Sequence, residues 1–268
     1  MISPDHCVLI SAAAGGLGKA FAAECASRGW NLFLTDIRAD ALEPLAVGLQ
    51  RLYGAQVSYF ACDLADPAGR EALWQEIERR GLRFDFLINI AGMEYEGPFA
   101  ERSAAEVRAL LRLNMEATVE MTLRVLHFRI PGQPLFIINV SSLAGFYPMP
   151  IKALYAASKR FLLDFSLALR EELRPAGVRV MALCPAGLPT NPRSIRRMAA
   201  QGWLGELTRM EVGTVAARSV TLALAGRAVY VPGFLNQAAA FFSRLLPPTW
   251  AAAWIGRRWR AAYRRGQG

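Results

Sequence analysis

Short apolar runs alternate with longer amphipathic segments through most of this chain. Seven runs have the composition of buried strands: residues 7–10, 31–35, 57–60, 86–88, 136–140, 178–183 and 229–231. Apolar residues recur at helical spacing between the early runs, over residues 20–28, 40–53, 68–80 and 104–128. Strands that are apolar throughout and are separated by helices are typical of a parallel sheet covered on both faces. The pattern therefore predicts an α/β fold with a doubly wound parallel sheet of about seven strands and helices on both faces.

Length and composition fit one such domain and suggest a cytoplasmic protein. The chain has 268 residues, of which 53% are hydrophobic. It contains no run of the roughly 18–20 apolar residues that a membrane-spanning helix needs. Its first residues lack the basic and apolar regions of a signal peptide. Four scattered cysteines and two histidines show no metal-ligand spacing, so we expect buried reduced thiols and no metal site.

The positive charge is concentrated at the C-terminal end. Residues 212–268 contain eight arginines and no acidic residue, so they carry +8 of the net charge of +9. This distribution argues against a broad nucleic-acid-binding face. We therefore divide the chain into a core domain, residues 1–231, and a basic, aromatic helical extension, residues 232–268.

The extension contains a predicted helix from Thr249 onward with two different sides. The residues on its apolar side are Ala252, Ile255, Trp259 and Tyr263. Roughly opposite lie Arg257, Arg260 and Arg264, together with Trp250 and Trp254. Such a helix can serve as a lid, a subunit contact or a membrane-surface segment. The sequence slightly favours the first two.

A glycine-containing turn follows the first predicted strand. The segment 11–18 reads Ser-Ala-Ala-Ala-Gly-Gly-Leu-Gly and leads into a helix, an arrangement that lets a backbone approach a pyrophosphate. Asp36 ends the second strand eighteen residues after Gly18, where an acid can accept hydrogen bonds from ribose hydroxyls. Such a turn alone also serves close packing of strand and helix. Together, the turn and the acid favour a Rossmann-type dinucleotide site.

Six further elements follow this turn along the chain. They are Asp63 after the third strand, the segment 89–92 (Asn-Ile-Ala-Gly), Asn114, the pair Ser141 and Ser142, the Tyr-x-x-x-Lys motif of Tyr155 and Lys159, and the segment 185–190 (Pro-Ala-Gly-Leu-Pro-Thr). In order and spacing they resemble the short-chain dehydrogenase/reductase family from about residue 7 to residue 190. The likeness is to its alcohol dehydrogenase branch, which includes hydroxysteroid dehydrogenases. It implies an NAD(P)-dependent enzyme that interconverts alcohols and ketones.

The catalytic residues implied by the resemblance are Asn114, Ser142, Tyr155 and Lys159. Tyr155 and Lys159 are four residues apart in a helix-like segment, so both side chains lie on one face. A phenol with a pKa of about 10 is a poor base at neutral pH, and a nearby ammonium favours its ionised form. By resemblance, Lys159 also reaches the nicotinamide ribose, Ser142 binds the substrate oxygen and Asn114 holds a water that links Lys159 to solvent.

The resemblance also implies a set of cofactor-binding residues. They are Ser11, Gly16, Leu17, Gly18, Asp36, Ile37, Arg38, Asp63, Leu64, Asn89, Ala91, Gly92, Tyr155, Lys159, Pro185, Leu188 and Thr190. Asp36 disfavours the 2′-phosphate of NADP, so NAD is the expected cofactor. A swing of Arg38 toward Asp36 would soften that choice and keeps NADP open. Ala12 and Ala186 stand where the family usually has glycine, which predicts at most a lower cofactor affinity.

Three loops are expected to line the substrate pocket. The residues singled out are Met93, Tyr95, Leu143, Met149 and Trp203, an apolar set that suits a bulky alcohol or ketone. By resemblance the leading substrates are hydroxysteroids, including bile-acid-like steroids, followed by fatty or prenyl compounds. Charged residues on the same loops, namely Glu94, Glu96, Arg193, Arg196 and Arg197, are expected to form a solvated rim.

Two alternatives to a cytoplasmic alcohol dehydrogenase stay open. One is a dinucleotide-binding regulatory protein without turnover, although the complete set of Asn114, Ser142, Tyr155 and Lys159 favours an enzyme. The other is a reductase of fatty or prenyl carbonyl compounds at the membrane surface. The resemblance further implies a homodimer or homotetramer that packs through helices near residues 104–128 and 152–174.

Overall fold

Seven parallel strands form one sheet. The computed structural model describes residues 6–188, 210–243 and 245–265, and in the last segment the side chains as far as Arg257. The strands are β1 (Cys7–Ser11), β2 (Asn31–Asp36), β3 (Val57–Ala61), β4 (Phe86–Asn89), β5 (Leu135–Val140), β6 (Val178–Leu183) and β7 (Val229–Tyr230). Their order is β3-β2-β1-β4-β5-β6-β7, with every neighbouring pair parallel. The predicted doubly wound sheet is confirmed.

Helices cover both faces of this sheet. They are α1 (Gly16–Ser27), α2 (Ala39–Tyr53), α3 (Pro67–Arg79), α4 (Ala104–Leu111), α5 (Ala117–Val125), α6 (Ala153–Leu173), α7 (Val212–Leu224), α8 (Phe234–Ser243) and α9 (Pro248–Arg265). The single helix predicted over residues 104–128 is instead interrupted by a π-helical turn, Arg112–Glu116, between α4 and α5. Ser103 and Glu106 form a capping box that fixes the start of α4.

The core consists of two apolar layers on opposite sides of the sheet. Within β1, Val8 and Ile10 pack into the layer beneath α1, α2 and α7, whereas Leu9 packs into the layer beneath α3, α5 and α6. Adjacent residues of a strand point to opposite faces, and both faces are covered here. This geometry explains why the strand segments are apolar throughout instead of alternating with polar residues.

The direction of winding reverses between β1 and β4. From β1 the chain proceeds outward to β2 and β3, then returns to place β4 on the other side of β1. In an open parallel sheet, a crevice forms at this switch point beside the carboxyl ends of the strands. The carboxyl ends of β1, β4, β5 and β6 lead directly into Ser11, Asn89, Ser141 and Cys184. The sheet therefore gathers the motif-bearing loops at one edge.

The extension after β7 consists of α8 and α9. On α9, Ile255 is buried while Trp250, Trp254 and Arg257 are exposed. The side chains of Trp259, Arg260, Tyr263 and Arg264 lie outside the described residues, so the two-sided helix stays a prediction. Across residues 6–188, 210–243 and 245–265, none of the helices combines the length and hydropathy that spanning a bilayer requires.

Candidate active site

The turn between β1 and α1 has the close geometry of a dinucleotide-binding loop. A Cβ placed on Gly18 would lie 2.2 Å from the Ala12 carbonyl oxygen and 2.7 Å from the Ala13 Cα, so only glycine fits there. Ala12 adopts a left-handed conformation with φ of 50°. An alanine in this region bears a strain of about 1–2 kcal/mol, which explains why glycine suits the position. The loop nevertheless keeps its turn and directs the N-terminus of α1 toward the crevice, as a pyrophosphate requires.

Asp36 ends β2 beside this turn and is paired with Arg38. Its carboxylate accepts hydrogen bonds from the Ala14 amide at 2.9 Å and from the Arg38 Nε at 3.0 Å. The carboxylate is almost completely buried, while half of the Arg38 side chain is exposed. A Cβ on Gly15 would lie 3.9 Å from Arg38 Nη2, so the guanidinium reaches toward the glycine turn. A bound adenosine ribose would therefore meet a carboxylate whose charge a neighbouring cation already offsets.

The other residues predicted for the adenine end lie at the same edge of the sheet. The Cys62 amide donates to the Asp36 carbonyl at 3.0 Å, which places the end of β3 next to the end of β2. Asp63 is exposed and Leu64 is buried. Ile37 is 65% exposed, so a large apolar side chain stands open to solvent beside Asp36. An adenine ring packed against Ile37 would cover it.

Ser11 joins the glycine turn to the loop after β4. Its hydroxyl accepts hydrogen bonds from the Ile90 and Ala91 amides at 2.9 and 3.2 Å. It also lies within 3.4 Å of the Ile88 carbonyl oxygen, to which it donates. These bonds hold the segment 89–92 beside α1 and so align two of the predicted cofactor loops.

The Asn89 side chain points into the molecule. Its amide donates to Asn139 Oδ1 at 2.9 Å and to Thr122 Oγ1 at 3.1 Å, and Asn139 in turn donates to Ser166. This buried network connects β4 and β5 to α5 and α6. The Asn89 amide nitrogen thus stabilises the sheet edge on which the site is built, while its Oδ1 is buried without a hydrogen-bond partner among the described residues.

Tyr155 and Lys159 share one face of α6. Lys159 Nζ lies 5.8 Å from the centroid of the Tyr155 ring and donates to the Val140 carbonyl oxygen at 2.9 Å. Burial lowers the pKa of Lys159 to about 8, while the charge of Glu94 acts in the opposite direction. A Cβ on Gly92 would lie 3.3 Å from Lys159 Nζ, so the glycine leaves that ammonium open toward the cofactor loop.

Ser142 is held between β5 and the loop after β6. Its hydroxyl accepts from the Ala144 amide at 3.1 Å and donates to the Pro185 carbonyl oxygen at 3.4 Å. Leu143 donates through its amide to the same carbonyl at 2.8 Å. These contacts bring Pro185, a predicted cofactor residue, next to the predicted substrate-binding hydroxyl.

Gly145 has a role that sequence reasoning missed. A Cβ at this position would lie 2.9 Å from the Lys159 carbonyl oxygen, so the turn after Ser142 packs directly on the backbone of α6. Ser141 reinforces the contact by donating to that carbonyl at 2.6 Å. The close approach fixes the distance between the Ser142 loop and the helix that carries Tyr155. A glycine three residues after the motif serine was the available signal.

Asn114 lies in the π-helical turn and is completely buried. Its Oδ1 accepts from the Met93 amide at 2.8 Å, and its Nδ2 donates to the Met93 carbonyl at 2.9 Å and to Ser158 Oγ at 3.1 Å. The side chain thus ties the loop after β4 to α6. π-Helical turns are frequent at functional sites because they shift side chains and release backbone groups. The water relay through Asn114 stays a prediction.

Glu94 and Glu96, expected at a solvated rim, are partly exposed, with side chains at 30% and 20%. Both carboxylates pair with Lys152, Glu94 at hydrogen-bond distance and Glu96 at 3.3 Å from its Nζ, and Lys152 is only 8% exposed. A buried ammonium draws the two acids inward, which a loop sequence alone does not reveal. The missed signal is spacing: Lys152, Tyr155 and Lys159 are at positions i, i+3 and i+7 of one helical face.

Two of the predicted substrate residues, Met149 and Tyr95, lie beside Tyr155. Met149 is buried in a small cluster that Tyr155 packs against, and Met93, Tyr95 and Leu143 are half-buried. A cleft opens beside them, lined among others by Tyr95, Phe99, Ile151 and Tyr155. Leu188 is the last described residue of its loop and is buried. Outside the described residues lie several predicted positions: Thr190, Trp203, Arg193, Arg196 and Arg197.

Comparison with known proteins agrees with this geometry. The short chain dehydrogenase family matches residues 6–199. The very-long-chain 3-oxoacyl-CoA reductase of Phaeosphaeria nodorum is 31% identical over 196 residues, covering 72% of this chain and 58% of that protein. Human 17-beta-hydroxysteroid dehydrogenase type 3 is 30% identical, covering 68% of this chain and 59% of that protein. The chain thus spans less than two thirds of these curated relatives.

Solved structures resemble the chain over most of its length. A short-chain dehydrogenase from Sphingobium yanoikuyae in complex with NADPH has a TM-score of 0.73 and 30% identity, covering 85% of this chain and 88% of that one. The bulky-bulky ketone specific alcohol dehydrogenase from Comamonas testosteroni has a TM-score of 0.74 and 25% identity, covering 90% and 95%. A 7beta-hydroxysteroid dehydrogenase reaches 0.82 at 21% identity over 94% and 96%, which supports the fold. From its sheet, its motif-bearing loops and this match, the chain belongs to the short-chain dehydrogenase family of NAD(P)-dependent oxidoreductases.

Proposed function

We propose that this chain interconverts a hydrophobic secondary alcohol and its ketone with a nicotinamide cofactor. The observation that carries the proposal is the shared face of α6, where the Lys159 ammonium lies 5.8 Å from the Tyr155 ring beside the carboxyl ends of the strands. A buried, desolvated lysine is costly to keep in a fold, so its position next to a phenol favours a chemical role. Ser142 and the segment 89–92 supply the remaining polar groups around that face.

The residues suit a general acid–base mechanism. In alcohol oxidation, Tyr155 accepts the proton of the substrate hydroxyl, and in ketone reduction it returns one to the carbonyl oxygen. The Lys159 ammonium favours the ionised phenol, and the Ser142 hydroxyl orients the reacting oxygen. When bound, the cofactor supplies or accepts the hydride. Asn114 positions Met93 and α6 through three hydrogen bonds and so keeps the substrate loop against the catalytic helix.

The proposed substrate carries its oxygen on a bulky apolar skeleton. Met149 packs in the apolar cluster against Tyr155, and Tyr95 lines the cleft beside Tyr155 together with Phe99 and Ile151. The charged Lys152, which pairs with Glu94 and Glu96, lies at the same cleft. Adaptable methionines and aromatic rings suit a large hydrophobic ligand. The relatives named for 3-oxoacyl-CoA and for hydroxysteroids share this chemistry, a ketone or secondary alcohol on an apolar body. Hydroxysteroids, including bile-acid-like ones, are our first substrate class, and fatty or prenyl carbonyl compounds are the second.

We propose NAD as the preferred cofactor, with NADP also accepted. The Asp36 carboxylate at the end of β2 suits the ribose hydroxyls of NAD and repels a phosphate. Arg38 donates to that carboxylate at 3.0 Å and offsets part of its charge, so the discrimination is expected to be modest. The related structure from Sphingobium yanoikuyae was solved with NADPH, which supports acceptance of NADP.

We further propose a cytoplasmic homodimer or homotetramer. Leu111 and Leu123, near the segment predicted to form subunit contacts, are 36% and 57% exposed. Leu111 ends α4 and Leu123 lies in α5, and exposed apolar side chains of this size suit a contact between copies. Sedimentation velocity of wild type and Leu123→Arg tests this assembly, which is expected to dissociate in the variant.

The test of the proposed reaction is turnover followed at 340 nm. We would assay the protein with NAD and NADP against hydroxysteroids, fatty alcohols and polyols, beside Tyr155→Phe and Tyr59→Phe. Tyr155→Phe removes the proton-transferring hydroxyl and is expected to lower kcat/KM by about 10²–10⁴-fold. Tyr59→Phe makes the same chemical change on β3 and is expected to leave turnover unchanged. Cofactor binding without turnover of any apolar alcohol or ketone would favour the regulatory protein instead.

A further inference from the structure

The helices α8 and α9 expose an unusual concentration of large apolar side chains. Fifteen large hydrophobic side chains in the described part of the chain are exposed, and eight of them lie within residues 234–254. We call this set the C-terminal apolar surface: Phe234, Leu235, Phe241, Phe242, Leu245, Leu246, Trp250 and Trp254. Scattered exposed apolar residues are normal in proteins, but a contiguous sequence segment with this density marks an interaction site.

The inward residues of α8 are small or polar, whereas α9 buries Ala251 and Ile255. Ala240 packs in a core cluster with Phe146 and Leu163, and Ala251 is 8% exposed. Asn236 is 2% exposed and donates to the Pro232 carbonyl oxygen at 2.7 Å, which anchors the start of α8. On α8 the arrangement is the opposite of an ordinary surface helix, whose large apolar residues face the core. The rings of Phe234, Phe242 and Trp250, which are 81%, 59% and 72% exposed, therefore lie outside the core.

The charge around this surface selects an anionic partner. Residues 212–268 include eight arginines and no aspartate or glutamate. On α9, Trp250, Trp254 and Arg257 are exposed at positions i, i+4 and i+7, so indole rings and a guanidinium share one face. Tryptophan and arginine on the same outward face are suited to the boundary between lipid headgroups and acyl chains.

We propose that the C-terminal apolar surface docks on an anionic lipid surface. A second copy of the chain fits it less well, because a symmetric contact would bring two arginine-rich segments together without an acid on either side. A lipid surface accepts both features at once, since the aromatic rings enter the interface while the arginines meet phosphate groups.

The contact between α8 and the turn after Ser142 relates this docking to the candidate active site. Phe146, which packs against α8 through Ala240, belongs to the turn that begins directly after Ser142. A lipid surface on the outward side of α8 would lie across that helix, about 10 Å, from the turn that follows Ser142. The docking itself does not rest on the proposed reaction, because vesicle binding is measured without substrate or cofactor.

Sedimentation with sucrose-loaded vesicles tests the proposal on the full chain. We would compare phosphatidylcholine vesicles with vesicles containing about one third phosphatidylglycerol, at low salt and at about 0.5 M NaCl. The surface variant is Phe241→Ser/Trp250→Ser/Trp254→Ser. The control variant, Leu52→Ser/Tyr53→Ser, removes exposed apolar side chains from α2, and those are 76% and 41% exposed.

We expect wild type and the control variant to bind anionic vesicles and to dissociate from them at high salt. The surface variant is expected to lose at least about tenfold in partition coefficient, since three interfacial anchors are removed. Circular dichroism and thermal unfolding confirm that each variant is folded. Equal binding of surface variant and wild type, or no binding of wild type to anionic vesicles, would overturn it. If wild type fails to bind vesicles and forms an oligomer that the surface variant does not form, the surface is a subunit contact instead.

Discussion

The candidate active site around Tyr155 and the C-terminal apolar surface both contain cations and aromatic rings. The cations are buried in the first region and exposed to solvent in the second. Lys152 and Lys159 are 8% and 4% exposed, and each is hydrogen-bonded or ion-paired to neighbouring loops. Trp250 and Trp254 are 72% and 64% exposed, with Arg257 exposed next to them. The lysine ammonium groups are thus buried in the first region, whereas the guanidinium and the indole rings are exposed in the second.

The two environments point to different functions of these side chains. A buried ammonium reduces stability unless its surroundings compensate, so its presence points to a task performed inside the site. An exposed indole adds almost nothing to stability and leaves apolar area in water, so its presence points to a task performed at the surface. The comparison predicts that changes in the first region alter catalysis and stability together, while changes in the second alter binding alone.

The largest expected effect comes from Lys159→Met. Loss of the ammonium that favours the ionised phenol is expected to lower kcat/KM by about 10²–10⁴-fold. At pH 7 the variant is expected to unfold at higher urea concentration than wild type, because it no longer buries a charge. Steady-state kinetics and urea unfolding measure the two effects, with the exposed Lys19→Met as control.

The pH dependence of that stability difference has a definite sign. Burial lowers the pKa of Lys159 from 10.5 to about 8 in the folded protein. Between these values the unfolded chain binds a proton that the folded chain has released, so wild-type stability rises with pH across this window. The advantage of Lys159→Met at pH 7 is therefore expected to shrink by pH 9.5. A difference that stays constant with pH would contradict the buried ammonium.

The second largest effect is expected from Lys152→Met, which removes the ammonium that pairs with Glu94 and Glu96. Repulsion between the two carboxylates should displace the loop that carries Met93 and Tyr95. We expect substrate KM to rise by about 10–100-fold and the free energy of unfolding to fall by about 1–3 kcal/mol. The triple variant Lys152→Met/Glu94→Gln/Glu96→Gln removes all three charges and should recover most of the stability. Wild-type KM in the single variant would show that this cluster does not position the loop.

A smaller effect is expected at the adenosine end, where the cation is only half-buried. Arg38→Leu should leave the charge of Asp36 uncompensated and lower kcat/KM for NADP by about tenfold, which corresponds to about 1.4 kcal/mol. Asp36→Ala should raise kcat/KM for NADP by a similar factor. The ratio of kcat/KM with NAD to that with NADP measures both changes. Equal ratios in wild type and both variants would mean that this pair does not select the cofactor.

The smallest expected effect is on stability at the C-terminal apolar surface. Trp250→Ser/Trp254→Ser should keep the free energy of unfolding within about 0.5 kcal/mol of wild type, as exposed substitutions usually do. Trp74→Ser is the matched contrast, because that tryptophan is 1% exposed and its loss should lower the free energy of unfolding by about 3–5 kcal/mol. Chemical denaturation of both variants makes the comparison. A large loss in the surface variant would mean that these tryptophans support the fold.

The sequence predicted the sheet to within one residue at each strand end, because buried parallel strands give an unambiguous apolar signal. It did not predict the interruption of the helix at residues 104–128. The π-helical turn there depends on the bonds between Asn114 and the Met93 backbone, two positions that are distant along the chain. Contacts that form only after folding leave no periodic pattern in the sequence.

The contact between Lys159 and the Tyr155 ring could be predicted from the sequence, while the catalytic roles of these residues stay a prediction. Tyr155 and Lys159 are close in sequence, and their common face follows from helix geometry. The pairing of Lys152 with Glu94 was missed because it joins α6 to a loop 58 residues earlier. Arg38 was identified as a modifier of Asp36, because residues two apart at a strand end are already neighbours. Local geometry was thus accessible from the sequence, and the packing of loops on α6 was not.

The most direct test of the central claim is transfer of the hydride itself. We would incubate the protein with a bulky apolar ketone and with NADH, or NADPH, deuterated at the transferable positions, and analyse the product by mass spectrometry. The account predicts an alcohol that carries one deuterium on its carbinol carbon, formed by wild type and reduced to near background in Tyr155→Phe. Binding of the cofactor without deuterated alcohol from any ketone in the series, or equal formation by Tyr155→Phe, would contradict it.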